Sequence, residues 1–187
     1  QLYFVDSLGY YFFSDLPDSV INISDELELI GFNMYSEWDS TQIHYPKYDF
    51  SNKTDTSYLL LTTANSEYAH PFKGIVTSNF GWRKRRFHYG IDINLNTGDT
   101  VVNAFHGIVR ITKRSKSYGN VVVIRHDNGL ETLYAHLKSI FIASGDTIDA
   151  GVPIGLGGNT GRSRGSHLHL EIRYLGVAIN PPDIINF

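Results

Sequence analysis

The chain has 187 residues, 42% of them apolar, with a mean hydropathy of −0.18, enough for one globular domain with a real core. Its 16 basic and 19 acidic side chains leave a net charge of −3, so the basic excess of a nucleic-acid binder is missing. There is no cysteine, which excludes disulfide frameworks and thiolate zinc sites and leaves any metal to histidine and carboxylate ligands.

The chain opens on Gln1 rather than methionine, which reads as a processed or truncated product with a signal peptide or anchor removed. No apolar run approaches the roughly 20 residues that span a bilayer; "YLLL" and "IFIA" are the longest candidates. Residues 1–65 are rich in aromatics ("LYFVDSLGYYFF", "GFNMYSEWDS", "HYPKYDF") and poor in glycine. That composition is too aromatic for a disordered linker and predicts an arm or subdomain packed on the C-terminal two thirds of the chain. Residues 66–187 form the second unit. There, glycine recurs between short Val/Ile-rich runs, the pattern of an all-β domain built from antiparallel sheets. The expected strands are Ile75–Ser78, Tyr89–Leu95, Thr100–Ala104, Gly107–Thr112, Asn120–His126, Leu130–Ala135, Pro153–Leu156 and Leu168–Tyr174. A weak internal echo links "GDTVVNAFHGIV" (98–109) with "GDTIDAGVPIG" (145–155). Biotinyl and lipoyl carriers have such echoes, but neither copy holds the hairpin lysine that a carrier needs.

Chemistry is expected of the histidines only where their spacing supports it. In "HLHLEIRY" the strand period of two places His167, His169, Glu171 and Arg173 on one face. A polar surface stripe explains this without any metal. In "HYGIDIN", His88 and Asp92 are four apart and share a face of an extended strand. If the two strands adjoin, a His/Asp/His set with an open position becomes available, the design of catalytic zinc. Spacing alone leaves both readings open. No "HExxH" is present, and "GRSRG" (161–165) is a loop serine without the strand–turn–helix of a nucleophile elbow.

The pieces "SNFGWR", "HYGID", "GDTVVNA", "YGNVVVIRHDNGLETLYAHL", "GDTIDAGVPIGLGGNTGRSRGSHLHLEIR" and "NPPDII" succeed one another between about His70 and Phe187. In that order they resemble the lysostaphin/LytM family of zinc endopeptidases. The resemblance implies the duplicated-hybrid-motif-like fold of that family's catalytic domain. It also implies one Zn²⁺ per chain held by His88, Asp92 and His169, with His136 ("YAHL") and His167 as catalytic histidines that do not bind the metal. The implied reaction is hydrolysis of peptide cross-links in bacterial peptidoglycan by a zinc-activated water, in the periplasm or outside the cell. The runner-up is an inactive relative that regulates a cell-wall amidase, although such relatives typically lack one or more ligands. An envelope- or carbohydrate-binding module is a third reading. A monomer is expected.

Two positions depart from the family's pattern: His106, where an acid is more usual, and Arg164, where a small or hydroxyl residue is. Neither touches a ligand position, so they bear on substrate preference. "WRKRRFH" reads as a solvated turn, or as an attractor for the carboxylates of stem peptides. "GGNTGRSRG" reads as a turn connection or a wall contacting substrate. Segments preceding the domain cover the groove in some members of the family, so residues 1–65 could hold the enzyme latent.

Overall fold

The computed structural model describes residues 41–44, 68–126, 130–174 and 176–187. Apart from residues 41–44, the aromatic-rich stretch expected to form an arm lies outside the described residues.

Thirteen strands are formed in the described residues: β1 (Val76–Ser78), β2 (Gly81–Arg83), β3 (Arg86–His88), β4 (Ile91–Asn94), β5 (Thr100–Val102), β6 (Gly107–Ser115), β7 (Gly119–Arg125), β8 (Leu130–Leu137), β9 (Ser139–Ile140), β10 (Thr147–Ile148), β11 (Pro153–Leu156), β12 (His167–Tyr174) and β13 (Val177–Ile179). The main sheet runs β1-β4-β12-β8-β7-β6-β10, with β13 paired to β12. A second sheet runs β5-β11-β9, and β2 and β3 form a separate hairpin. All of these pairings are antiparallel.

Each of the eight expected strands overlaps an observed one. The expected Tyr89–Leu95 strand starts only at Ile91, because the chain bends at Gly90 between β3 and β4. The hairpin β2–β3 and the short strands β9, β10 and β13 are not legible in the sequence, being too short to carry an alternation signal.

Alternation assigns the two faces of the main sheet. Ile91 and Ile93 (β4), Leu168 and Leu170 (β12), Tyr134 (β8) and Val122 and Ile124 (β7) point one way. With Val101 of β5 and Ile154 of β11 they form the main core between the two sheets. The opposite face carries a second apolar cluster, Ile111, Val121, Val123, Leu133 and Ala135, on which Ile43 and Tyr118 pack. A third cluster closes one end, where Ile184 and Ile185 come after a 3-10 turn at Pro181–Asp183 and meet Phe105, Leu130 and Ile172.

The internal echo has a structural counterpart. Its two copies pair with each other, β10 with β6 (Thr147↔Ile108) and β11 with β5 (Pro153↔Val102). The connecting backbone is stitched by Asn103 N–H to Val152 O and Gly151 N–H to Asn103 O.

His126 belongs to the frame rather than to the site. It is buried, with Nδ1 2.8 Å from the His106 carbonyl and Nε2 2.9 Å from Thr132 Oγ1. Burial, the dominant cause, pulls its pKa down to about 4, against about 6.5 in an unfolded chain. The native state therefore binds fewer protons than the unfolded state between these values, and stability rises with pH there. The contribution is complete above about pH 6.5 and is lost as pH falls towards about 4. Urea denaturation should show about 2 kcal/mol less stability at about pH 5 than at about pH 7.5 from this residue. His126→Gln should flatten that part of the slope; an unchanged slope would contradict the assignment.

Candidate metal centre

The centre is built where β4 and β12 lie side by side. Their register sets His169 directly opposite Asp92 and His167 opposite Asn94. His88 ends β3, and the chain then doubles through Tyr89–Gly90 into β4. Gly90 is required by closeness: a Cβ there would collide with the Leu170 carbonyl of β12. The middle residue of "HYGID" thus lets the β3–β4 corner seat against β12, bringing His88 to the other two side chains.

Three ligand atoms converge. His88 Nε2 lies 3.1 Å from Asp92 Oδ1 and 3.0 Å from His169 Nδ1, and His169 Nδ1 lies 2.9 Å from Asp92 Oδ1. These edges are close to the ~3.3 Å expected between donors of a tetrahedral site with bonds of about 2.0 Å. Each ring's remaining nitrogen has its own acceptor. His88 Nδ1 is 2.8 Å from the Asn79 carbonyl, and His169 Nε2 is 3.0 Å from Glu171 Oε1. The Asn79 carbonyl and Glu171 can take the N–H of the second nitrogen of each ring, although Arg83 Nη2 also lies 2.6 Å from His88 Nδ1, so His88 Nε2 and His169 Nδ1 are the nitrogens available to ligate a metal. The donor set fits a divalent metal with two imidazoles and one carboxylate.

The electrostatics stem from this packing. Burial alone would raise the Asp92 carboxyl, but hydrogen bonds from His169 and His88 hold it well below the usual carboxylate range. Burial would lower His169, yet Asp92 and Glu171 outweigh it and raise the ring to about 9.

The other two histidines face the same place. The His136 and His167 rings are 4.6 Å apart, and His136 is 5.9 Å from the His169 ring. His136 is the one described non-glycine residue with positive φ, at 61°, a conformation that is uncommon outside glycine and is often found at functional sites. Its Nδ1 is held 2.7 Å from the Thr160 carbonyl, leaving Nε2 for the site. Burial, then the charges of His167 and His169, lower His136 to about 4, so the ring is neutral at neutral pH. His167 Nδ1 lies 2.8 Å from the Gly165 carbonyl, and its Nε2 is 3.6 Å from Asp92 Oδ1. The glycine-rich loop supplies both carbonyl anchors. Its seat on the β6–β7 turn depends on Gly119 and Gly161, since a side chain on either would strike the backbone of the other segment.

All five residues singled out in the sequence are therefore gathered in one place. Two readings change. The "polar surface stripe" of β12 is buried, with Glu171 and Arg173 only 1% and 2% exposed. The basic run is an exposed hairpin turn, as expected, except that Arg83 reaches back to Asp92 Oδ2 at 2.9 Å. Arg83 and Glu171 were missed as site residues. Glu171 shared the ligand face in the alternation pattern, but Arg83 gave no signal beyond its charge.

The sequence profile of peptidase family M23 matches residues 86–181, just over half of the chain. The chain belongs to peptidase family M23. The DD-carboxypeptidase/endopeptidase Mpg of Neisseria meningitidis is 42% identical over 115 residues, covering 58% of this chain and 26% of that protein. The murein hydrolase activator NlpD of Salmonella typhimurium is 33% identical over 117 residues, covering 62% and 30%. The chain thus spans under a third of the length of these relatives. Among solved structures, the antimicrobial peptidase lysostaphin of Staphylococcus simulans superposes with a TM-score of 0.55 at 27% identity, covering 58% of this chain and 47% of that one. The M23 chain described here thus has the lysostaphin-type all-β fold.

If the triad holds the metal, His88→Ala, Asp92→Ala and His169→Ala should each bring metal content close to zero, measured by plasma mass spectrometry of purified protein. His136→Ala should retain it. A His169→Ala protein that keeps stoichiometric metal would place the ion elsewhere.

Proposed function

We propose that this M23 chain is a zinc metalloendopeptidase that hydrolyses peptide cross-links of peptidoglycan in the cell envelope, either periplasmic or secreted. The observation that carries the reading is convergence: a complete His88–Asp92–His169 donor set, with the His136 and His167 rings beside it. Two nitrogens and one oxygen from the protein suit catalytic zinc, which keeps its fourth position for water or substrate. When bound, zinc supplies a Lewis acid that lowers the pKa of coordinated water and polarises the scissile carbonyl.

The chain's own residues do the rest. Asp92, held ionised, offsets one charge of the metal and orients both imidazoles. His136, neutral and fixed through Nδ1, presents Nε2 as a proton acceptor. His167, fixed through Nδ1 by the Gly165 carbonyl, has only Nε2 to offer the substrate. The pair, with rings 4.6 Å apart, handles one proton between them: it is taken from the nucleophile at Nε2 and returned from an imidazolium Nε2 to the leaving amine, work worth about 10²–10⁴-fold. The exposed Trp82–Arg86 turn beside His88 offers positive charge to the carboxylates of stem peptides.

The similarity to a murein hydrolase activator favours a second reading, a regulator without turnover. The complete ligand set argues against it. Digestion of purified, cross-linked peptidoglycan and mass spectrometry of the fragments test both. Zinc-loaded wild type should convert cross-linked dimers into monomers, and the masses identify the bond. His136→Ala should retain zinc and slow conversion by about 10²–10⁴-fold. Intact dimers after treatment with fully zinc-loaded wild type would favour the regulator.

A further inference from the structure

The ligand face of β12 continues past the metal centre into a buried ladder of charges. His169 Nε2 meets Glu171 Oε1, and the Tyr118 hydroxyl donates to the same oxygen at 2.7 Å. Arg173 grips the other oxygen, Oε2, through Nε at 2.9 Å and Nη2 at 2.7 Å. Arg173 Nη1 passes on to Glu131 Oε1 at 3.0 Å. Arg110 forks onto Glu131, Nε to Oε2 at 2.7 Å and Nη2 to Oε1 at 3.0 Å. All four charged residues are at most 2% exposed. Two carboxylates against two guanidiniums leave the ladder balanced, as charges this deeply buried require.

The far end closes on the N-terminal part of the chain. Arg110 Nη1 donates to the Gln42 carbonyl at 2.7 Å, and Arg110 Nη2 and Arg173 Nη1 donate to the Ile43 carbonyl at 3.1 and 2.7 Å. Ile43 packs on the apolar cluster beside them, and the His44 ring lies 5.9 Å from that of Tyr118. Gln42 and Ile43 are therefore built into the sheet face that carries the ligands, although Ile43 and Arg173 are 130 positions apart.

Glu171 has four hydrogen bonds on its two oxygens, so it cannot swing away from His169 without breaking several at once. Its acceptance at Nε2 keeps a hydrogen on that nitrogen and leaves Nδ1, which faces Asp92 and His88, as the nitrogen to ligate the metal. We propose that Glu171 is a positioning residue for the metal centre, held by the Arg173–Glu131–Arg110 ladder and anchored by the Gln42 and Ile43 main chain. This rests on the metal reading above. It gives Gln42 and Ile43 a role in the site: their carbonyls hold the ladder in order.

The test uses the full chain and zinc alone, with affinity measured by competition against a chromophoric chelator and the Co²⁺-substituted absorption spectrum recorded alongside. Glu171→Gln should weaken zinc binding about 10–100-fold, the usual cost of losing an outer partner of a ligating histidine, and should alter the Co²⁺ spectrum. Arg110→Gln, remote from the ligands, should weaken it about threefold or more, within the range of coupling through packed polar networks. Arg173→Lys keeps the charge but loses the fork, and it replaces Glu171→Gln should that variant fail to fold; a loss of about threefold or more is expected. Variants that melt earlier yet bind zinc with wild-type affinity and an unchanged spectrum would overturn the proposal, because the ladder would then be scaffolding only. Wild type that binds no zinc would instead overturn the metal reading itself.

Discussion

The register between β4 and β12 is the constraint on which the rest of the molecule depends. Setting Leu168 opposite Ile93 and Leu170 opposite Ile91 sends four large aliphatic side chains into the main core. The same register sets His169 opposite Asp92 on the other face. A slip of one residue would exchange the faces, burying His169 and Asp92 in the core and turning leucines towards His88. Hydrophobic burial therefore does the aligning, at ~25 cal/mol per Å² of apolar surface, and the chemistry is aligned as a by-product. Gly90 keeps the contact close enough for His88 to join.

A second dependence runs across the sheet from β12 to β8 and β6. Charged side chains in a protein interior persist when they are paired and fully hydrogen-bonded, and the pairing of Glu171, Arg173, Glu131 and Arg110 meets that condition. The ladder shares its face with Ile111, Val121, Val123, Leu133 and Ala135. Polar order and apolar packing thus meet on one surface, and the short piece Thr41–His44 serves both. Its carbonyls take guanidinium donors, while Ile43 covers aliphatic carbon.

Much of the fold was legible because its longer strands are half-buried ladders with clear punctuation. Val121–Ile124 and Leu168–Ile172 declare themselves by β-branched content and alternation. The two-residue strands β9 and β10 are too short for any period to show, and β2–β3 is hidden in a charged run whose pairing is set by its turn. The gathering of His88, Asp92, His136, His167 and His169 could be anticipated from motif order, whereas spacing alone left a surface stripe equally open. What no local pattern could reveal is why Glu171 and Arg173 are buried. Their partners Glu131, Arg110 and Ile43 come from distant parts of the chain, and only the closed sheet brings them together. Arg83 was opaque for a similar reason: a hairpin folds it back onto Asp92.

His136 carries a cost that its neighbours do not. A left-handed backbone at an L-residue is disfavoured by about 1–2 kcal/mol, whereas glycine adopts it freely. The fold of this M23 chain would therefore be more comfortable with glycine at that position, and it tolerates histidine because the β7–β8 ladder and the Thr160 carbonyl hold the residue in place. If His136 takes the proton in the proposed reaction, thermal robustness and turnover pull on this one residue in opposite directions. A campaign to harden the protein by relieving backbone strain would find its easiest gain where the imidazole sits, and would remove the ring proposed here to accept the proton.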